Sequence, residues 1–219
     1  MKPTAACINK ALILMQELFD MGLYDALFIE RTDVGRVPMW NEWIRENEAR
    51  LDRFHVNFFC GLTKGCIVPE DIPWVIKVGF IQDINYCRRE CEFYKEACKE
   101  HLERYFAAEY RIGAIHGVDI YLQEKVTPDE KRISFDLREH IMNVYNIECC
   151  SEEELEEAIQ DGIDCSDVED IYYAVTGEKI EDELLYFLDE NNIDDLHTGN
   201  WGFTEDGRVV IFDYSGYNV

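Results

Sequence analysis

Three residues near the end of the chain have the types and spacing for metal chemistry: Asp195, Asn200 and Asp213. Asp195 and Asn200 stand five apart in Asp194-Asp195-Leu196-His197-Thr198-Gly199-Asn200, just after a run that reads as a helix from Glu181 to Glu190. Asp213 follows two short apolar runs, Trp201 to Thr204 and Arg208 to Phe212, turned by Asp206-Gly207. That is the pattern of a hairpin. A hairpin that returns on itself carries Asp213 back beside Asn200. Two carboxylates and an amide oxygen then converge, a hard-oxygen set suited to Mg²⁺. The competing account is a loop held by Asx turns, with Asp213 as a strand-end cap.

The same segment resembles the catalytic loop and metal-binding segment of the protein-kinase-like superfamily. There an Asp-Leu-x-x-x-Asn loop is followed, after a hairpin, by Asp-Phe-Gly. Here Asp195-Leu196-His197-Thr198-Gly199-Asn200 matches the loop, and Asp213-Tyr214-Ser215-Gly216 stands in place of Asp-Phe-Gly. The step of thirteen residues from Asn200 to Asp213 is also the family's. The Asp-Leu-His-x-Gly-Asn form is similar to that of kinases acting on aminoglycosides or choline, and of atypical protein kinases. The resemblance implies that Asp195 orients and deprotonates an acceptor hydroxyl. It implies that Asn200 and Asp213 hold Mg²⁺, and that His197 contacts the γ-phosphate of ATP or the Asp195 loop.

Upstream, Trp74-Val75-Ile76-Lys77 is similar to the family's Val-Ala-Ile-Lys on the third strand. The resemblance gives Lys77 the α- and β-phosphates. From the residues alone, a Lys at a strand end is ordinarily surface. In an apolar run its ammonium needs a partner. The helix that follows offers one. At about 100° per residue, Glu90 falls inside the apolar arc of Cys87, Cys91, Tyr94 and Ala97, and Glu92 falls outside it. Glu90 is therefore the expected partner of Lys77, with Glu92 in reserve.

Gly61-Leu62-Thr63-Lys64-Gly65 occupies the place of the glycine-rich loop, but departs from Gly-x-Gly-x-x-Gly. Two glycines permit a tight turn with N–H groups facing a phosphate, and Lys64 could add charge. An ordinary hairpin turn explains the same residues. Tyr121 to Val126 resembles the strand-to-hinge segment, which implies adenine contacts from the backbone near Glu124 and Val126.

The elements that must position these residues follow the same order. Residues 1–50 read as helical, from the spacing of Ile8, Leu12, Met15, Leu18 and Phe19, with a break at Val37-Pro38 and a resumption at Trp40. Phe54 to Phe59, Cys66 to Val68 and Trp74 to Val78 read as three antiparallel strands. A long helix is expected over Asp83 to Phe106. Two more strands, Tyr110 to Ile115 and Val118 to Glu124, join at His116-Gly117. Residues 127–177 read as acidic helices with capping-box patterns at Thr127, Ser151 and Ser166, closed by Gly177. The expected fold class is α+β. The resemblance makes it a kinase-like bilobal fold with three parts. Residues 1–50 form a helical extension, and 51–126 an N-lobe of five antiparallel strands and one long helix. Residues 127–219 form a reduced, mostly helical C-lobe. The chain stops three residues after Gly216, so the activation loop and peptide-docking helices of protein kinases are not expected. Ile193-Asp194 replaces the usual His-Arg.

Composition narrows the partners. The chain has 219 residues, 47% of them hydrophobic, which places it among folded globular proteins. With 21 Lys and Arg against 46 Asp and Glu, the net charge is −25. That field repels nucleic acid and anionic membrane surfaces. It also makes Mg²⁺ close to obligatory for binding a triphosphate. No apolar run reaches the roughly 18 residues of a membrane span. Nine cysteines without a C-x-x-C pair suggest a reducing, cytoplasmic setting. Cys87, Cys91 and Cys98 sit at helical spacing and read as core, and Cys149-Cys150 is too crowded for a metal pair. Two functions fit. One is an ATP- and Mg²⁺-dependent phosphotransferase acting on a hydroxyl of an unknown small-molecule or protein acceptor. The other is a pseudokinase, the fold kept as a nucleotide-binding or regulatory module without turnover.

Overall fold

The structure, a computed structural model, describes residues 2–32, 35–81, 84–144, 168–194 and 196–215. Thr4 starts helix α1 (Ala5–Asp20) by accepting the Cys7 N–H on its side-chain oxygen. Ala11, Met15, Leu18 and Phe19 form the buried face of α1. A short α2 (Leu23–Ala26) follows. Strands β1 (Ile29–Thr32) and β2 (Gly35–Pro38) then pair antiparallel, before helix α3 (Trp40–Leu51). The helical reading of residues 1–50 thus fails at 29–38, where Gly35 and Pro38 are poor helix formers.

Five strands make the main sheet: β3 (Val56–Cys60), β4 (Lys64–Pro69), β5 (Trp74–Gly79), β6 (Glu109–Ile115) and β7 (Val118–Glu124). Their order is β3-β4-β5-β7-β6, and every neighbour pair is antiparallel. The β6–β7 turn sits on His116 and Gly117, at φ 50° and 81°, the left-handed pair that a two-residue hairpin favours. Between β5 and β6 runs helix α4 (Tyr86–Lys99). It ends seven residues before the expected Phe106. His101 turns left-handed at φ 64°, and the Leu102 N–H closes on the Ala97 carbonyl at 2.8 Å. Its expected start, Asp83, lies outside the described residues.

A second sheet has the order β10-β9-β8, from β8 (Val126–Pro128), β9 (Trp201–Thr204) and β10 (Val209–Ile211). Helices α5 (Glu130–Val144), α6 (Val168–Thr176) and α7 (Asp182–Glu190) accompany it in sequence. Thr127 lies in β8 and caps nothing. Asp129 starts α5 instead, its Oδ1 accepting the Arg132 N–H at 3.2 Å. The Ser151 and Ser166 patterns lie outside the described residues, as does Cys149-Cys150. Gly177 closes α6 at φ 73°.

The chain divides into two compact units. One holds residues 1–96 and Ala108–Lys125, and the other holds Ala97–Ala107 and Val126 onward. Within the first, Trp40 packs edge-on against Phe58 and Phe80, and Gly113 lets Leu12 of α1 approach β6. Within the second, Phe106 makes edge contacts with Phe187 and Tyr214. The fold is α+β, with a five-stranded antiparallel sheet and seven α-helices among the described residues. No helix among them is long and apolar enough to cross a membrane.

Candidate functional site

Strand alternation aims Lys64, Lys77, Tyr121, Gln123 and Glu109 at one face of the five-stranded sheet, through the registers of β4–β5, β5–β7 and β6–β7. Helix α4 presents Cys87, Glu90 and Cys91 to buried surroundings. The charges meet there. Lys77 Nζ donates to Glu90 Oε2 at 2.6 Å, and Lys64 Nζ donates to Glu90 Oε1 at 2.6 Å. Lys77 also reaches Glu109 Oε2 at 3.3 Å, which accepts from Gln123 Nε2 at 3.1 Å. Lys77 is 2% exposed, Lys64 4%, and both glutamates 0%. One carboxylate thus holds two ammonium groups out of water.

Glu109 sits differently. Burial pushes its carboxyl up to about 8; Lys77 works against the rise and Glu90 adds to it. Burial thus favours the protonated form of Glu109, while Glu90 makes the two shorter contacts with the lysines. Glu109 Oε1 is buried with no hydrogen-bond partner among the described residues. Burial likewise raises the neighbouring Cys87 thiol, with Glu109 and Glu90 contributing, so Cys87 is no nucleophile at neutral pH.

Lys64 therefore does not stand out from the β3–β4 turn as a loop cation. The turn itself is tight: the Gly61 N–H donates to the Lys64 carbonyl at 3.0 Å. Gly65 answers to packing, because a Cβ there would lie 2.5 Å from the Trp40 ring. Gly61 has room for a Cβ, with its nearest contact at 3.8 Å. Of the hinge residues, Glu124 donates its backbone N–H to the Ala108 carbonyl at 2.7 Å, and its Oε2 accepts the Ala108 N–H at 3.2 Å. Val126 pairs with Thr204 in β8–β9.

In the second unit, the hairpin β9–β10 brings the ends of its loop together. The Phe212 N–H donates to the Asn200 carbonyl at 2.9 Å, so Asp213 begins one residue from that tie. Gly207 turns the hairpin at φ 84°, with the Thr204 N–H on the Arg208 carbonyl at 3.0 Å. Asn200 is 8% exposed and closes a 3-10 turn, Thr198–Asn200. His197 starts that turn, its Nδ1 accepting the Gly199 N–H at 3.0 Å. Asp213 is half-buried, and Ser215 Oγ lies 3.5 Å from its Oδ1. Tyr214 anchors the following chain by donating its buried hydroxyl to the Ala107 carbonyl at 2.9 Å. Asp195 lies outside the described residues, as does Gly216. Among the described residues no group of three or more His, Cys, Asp or Glu side chains stands at ligating distance. Asn200 and Asp213 are the one amide and the one carboxylate of the expected metal set that lie among the described residues.

Glu109 and Gln123 belong to the buried network and were not singled out from the sequence. The signal was present: a carboxylate after Ala107-Ala108, in a strand, needs a partner as much as Lys77 does. Cys98 departs from expectation in the other direction. It is exposed, while Cys87 and Cys91 are buried; Ala97 is the buried residue of that last turn. No protein-family model and no curated protein matches the chain.

Proposed function

We propose that the chain is an ATP- and Mg²⁺-dependent phosphotransferase with a reduced fold of the protein-kinase-like superfamily, acting on a hydroxyl of a small-molecule or protein acceptor. The observation that carries the reading is the 2.6 Å ion pair between Lys77, on the third strand of a five-stranded antiparallel sheet, and Glu90, on the helix that follows that strand. A lysine so held keeps a fixed ammonium for the α- and β-phosphates. Asn200 and Asp213 are the metal-binding pair in this reading. Asp195 orients the acceptor hydroxyl and takes its proton, which passes from oxygen to carboxylate as the hydroxyl oxygen bonds to the γ-phosphorus and the bond from that phosphorus to the β,γ-bridging oxygen breaks, so that ADP leaves.

A second reading, a nucleotide-binding or regulatory module without turnover, is favoured by one feature: Lys64 is buried on Glu90, so the β3–β4 turn offers no cation to a phosphate.

A thermal-shift titration with ATP, with and without Mg²⁺, tests both. Stabilisation that needs both ligands supports nucleotide binding. Asp213→Asn should abolish that stabilisation with the fold intact. Asp195→Asn should keep it and lose only ATP turnover, measured with a panel of hydroxyl acceptors. ATP affinity in Asp213→Asn equal to that of the parent would end the kinase-like reading. Binding without turnover on any acceptor would favour the regulatory module.

A further inference from the structure

Helix α4 and the β6–β7 pair line an open cleft of ≈ 390 Å³ that carries more cations than carboxylates, in a chain of net charge −25. It is lined by Arg88, Lys95 and Arg111 against Glu92 and Asp119. Three cations face two carboxylates there. We propose that this cleft binds the phosphate of a small phosphomonoester. The proposal stands apart from the phosphotransferase reading, because none of its three cations takes part in that reading.

The cations are arranged, not merely near. Asp119 accepts from Arg88 Nη2 at 2.9 Å and from Arg111 Nε at 2.9 Å, and Arg111 Nη2 lies 2.8 Å from the same carboxylate. The Tyr121 hydroxyl adds a bond at 3.3 Å. Arg111 beside it holds the Asp119 carboxyl below the ordinary range, so Asp119 stays ionised while it serves both arginines. It is a positioning residue: it sets two guanidinium groups side by side, and each has N–H groups left over for a ligand. Lys95 has no carboxylate within ion-pair reach among the described residues. Cys91 and Tyr121, both buried, line the apolar part of the cleft.

A phosphate dianion suits this set better than a carboxylate. It offers three oxygens to two guanidinium forks and one ammonium. The volume is that of a small-ligand pocket. The chain's net charge of −25 disfavours a long anionic partner, which leaves a small phosphomonoester as the occupant.

Calorimetry on the full chain tests the assignment, with glycerol phosphate as probe, at fixed ionic strength and with a chelator present so that no Mg²⁺-dependent site contributes. Arg88, Glu92 and Lys95 are exposed helix positions, so their variants should keep the parent's circular dichroism. Lys95→Gln should weaken binding about tenfold, and Arg88→Gln with Lys95→Gln should bring it below detection. Glu92→Gln should tighten binding about threefold, because it removes the one lining carboxylate that Asp119's role does not require. No binding heat from the parent overturns the proposal. Affinity unchanged in Lys95→Gln and in the double variant overturns it too. A phosphoserine peptide that binds about tenfold tighter than glycerol phosphate would overturn the small-molecule assignment in favour of a protein-borne phosphate.

Discussion

Glu90 holds an ammonium group on each of its two oxygens, so its loss strands two buried cations together. Removing one partner of a buried ion pair costs about 3–5 kcal/mol, most of it the penalty of the charge left behind. Glu90→Gln should reach that range in urea unfolding, whereas Glu92→Gln, exposed on the same helix, should stay within about 0.5 kcal/mol of the parent. Equal costs for the two would mean that the pairs with Lys64 and Lys77 hold nothing. Glu109 adds a pH dependence of defined sign. Burial raises its folded carboxyl to about 8, against an ordinary glutamate value of 4.5 in the unfolded chain. Between those values the native chain holds a proton that the unfolded chain has lost, so stability falls as pH rises from about 4.5 to about 8. Glu109→Gln copies the protonated form and should flatten that slope, with its largest relative gain above pH 8. A slope unchanged in Glu109→Gln would move the titration to another group.

At the scale of elements, what was legible in the sequence followed local chemistry. Strands β3 to β7 and the β9–β10 hairpin could be read because apolar runs end at turn residues that the turns require, Gly117 and Gly207 among them. Strand β8 was missed because its three residues owe their conformation to pairing with β9, which no local pattern encodes. The end of α4 was missed because a histidine, not a glycine, adopts the left-handed closure. Glu90 could be placed by helical angle alone; the second lysine on it could not, since Lys64 sat in what read as a loop. Two glycines test how far pairing and packing set these elements. Gly65→Ala forces the Trp40 ring to move and should cost about 1–3 kcal/mol, while Gly61→Ala should cost under about 1. Gly202→Ala puts a Cβ 2.7 Å from the Thr127 carbonyl and 2.5 Å from Val126. It should free the β8 amides to hydrogen exchange while leaving those of β3 to β5 protected. Retained protection in β8 would mean that the strand pair tolerates displacement.

For the whole molecule, the excess of 46 acidic over 21 basic residues sets a self-repulsion that no single pair explains. The exposed ion pairs, such as Arg53 with Glu17 and Lys10 with Asp71, each contribute little. Raising NaCl shortens the Debye length from about 30 Å at 0.01 M to about 8 Å at 0.15 M, which removes most of the long-range repulsion and little of any buried interaction. The melting temperature should therefore rise with salt over that range. A fall would mean that favourable surface pairs outweigh the net charge. The same experiment separates the global field from the buried network. The falling stability between about pH 4.5 and 8 attributed to Glu109 arises out of reach of mobile ions, so it should persist at 0.15 M with nearly the slope it has at 0.01 M. A slope that vanishes in salt would assign the pH dependence to the surface charge, and Glu109 would then be ionised in its place between Lys77 and Gln123.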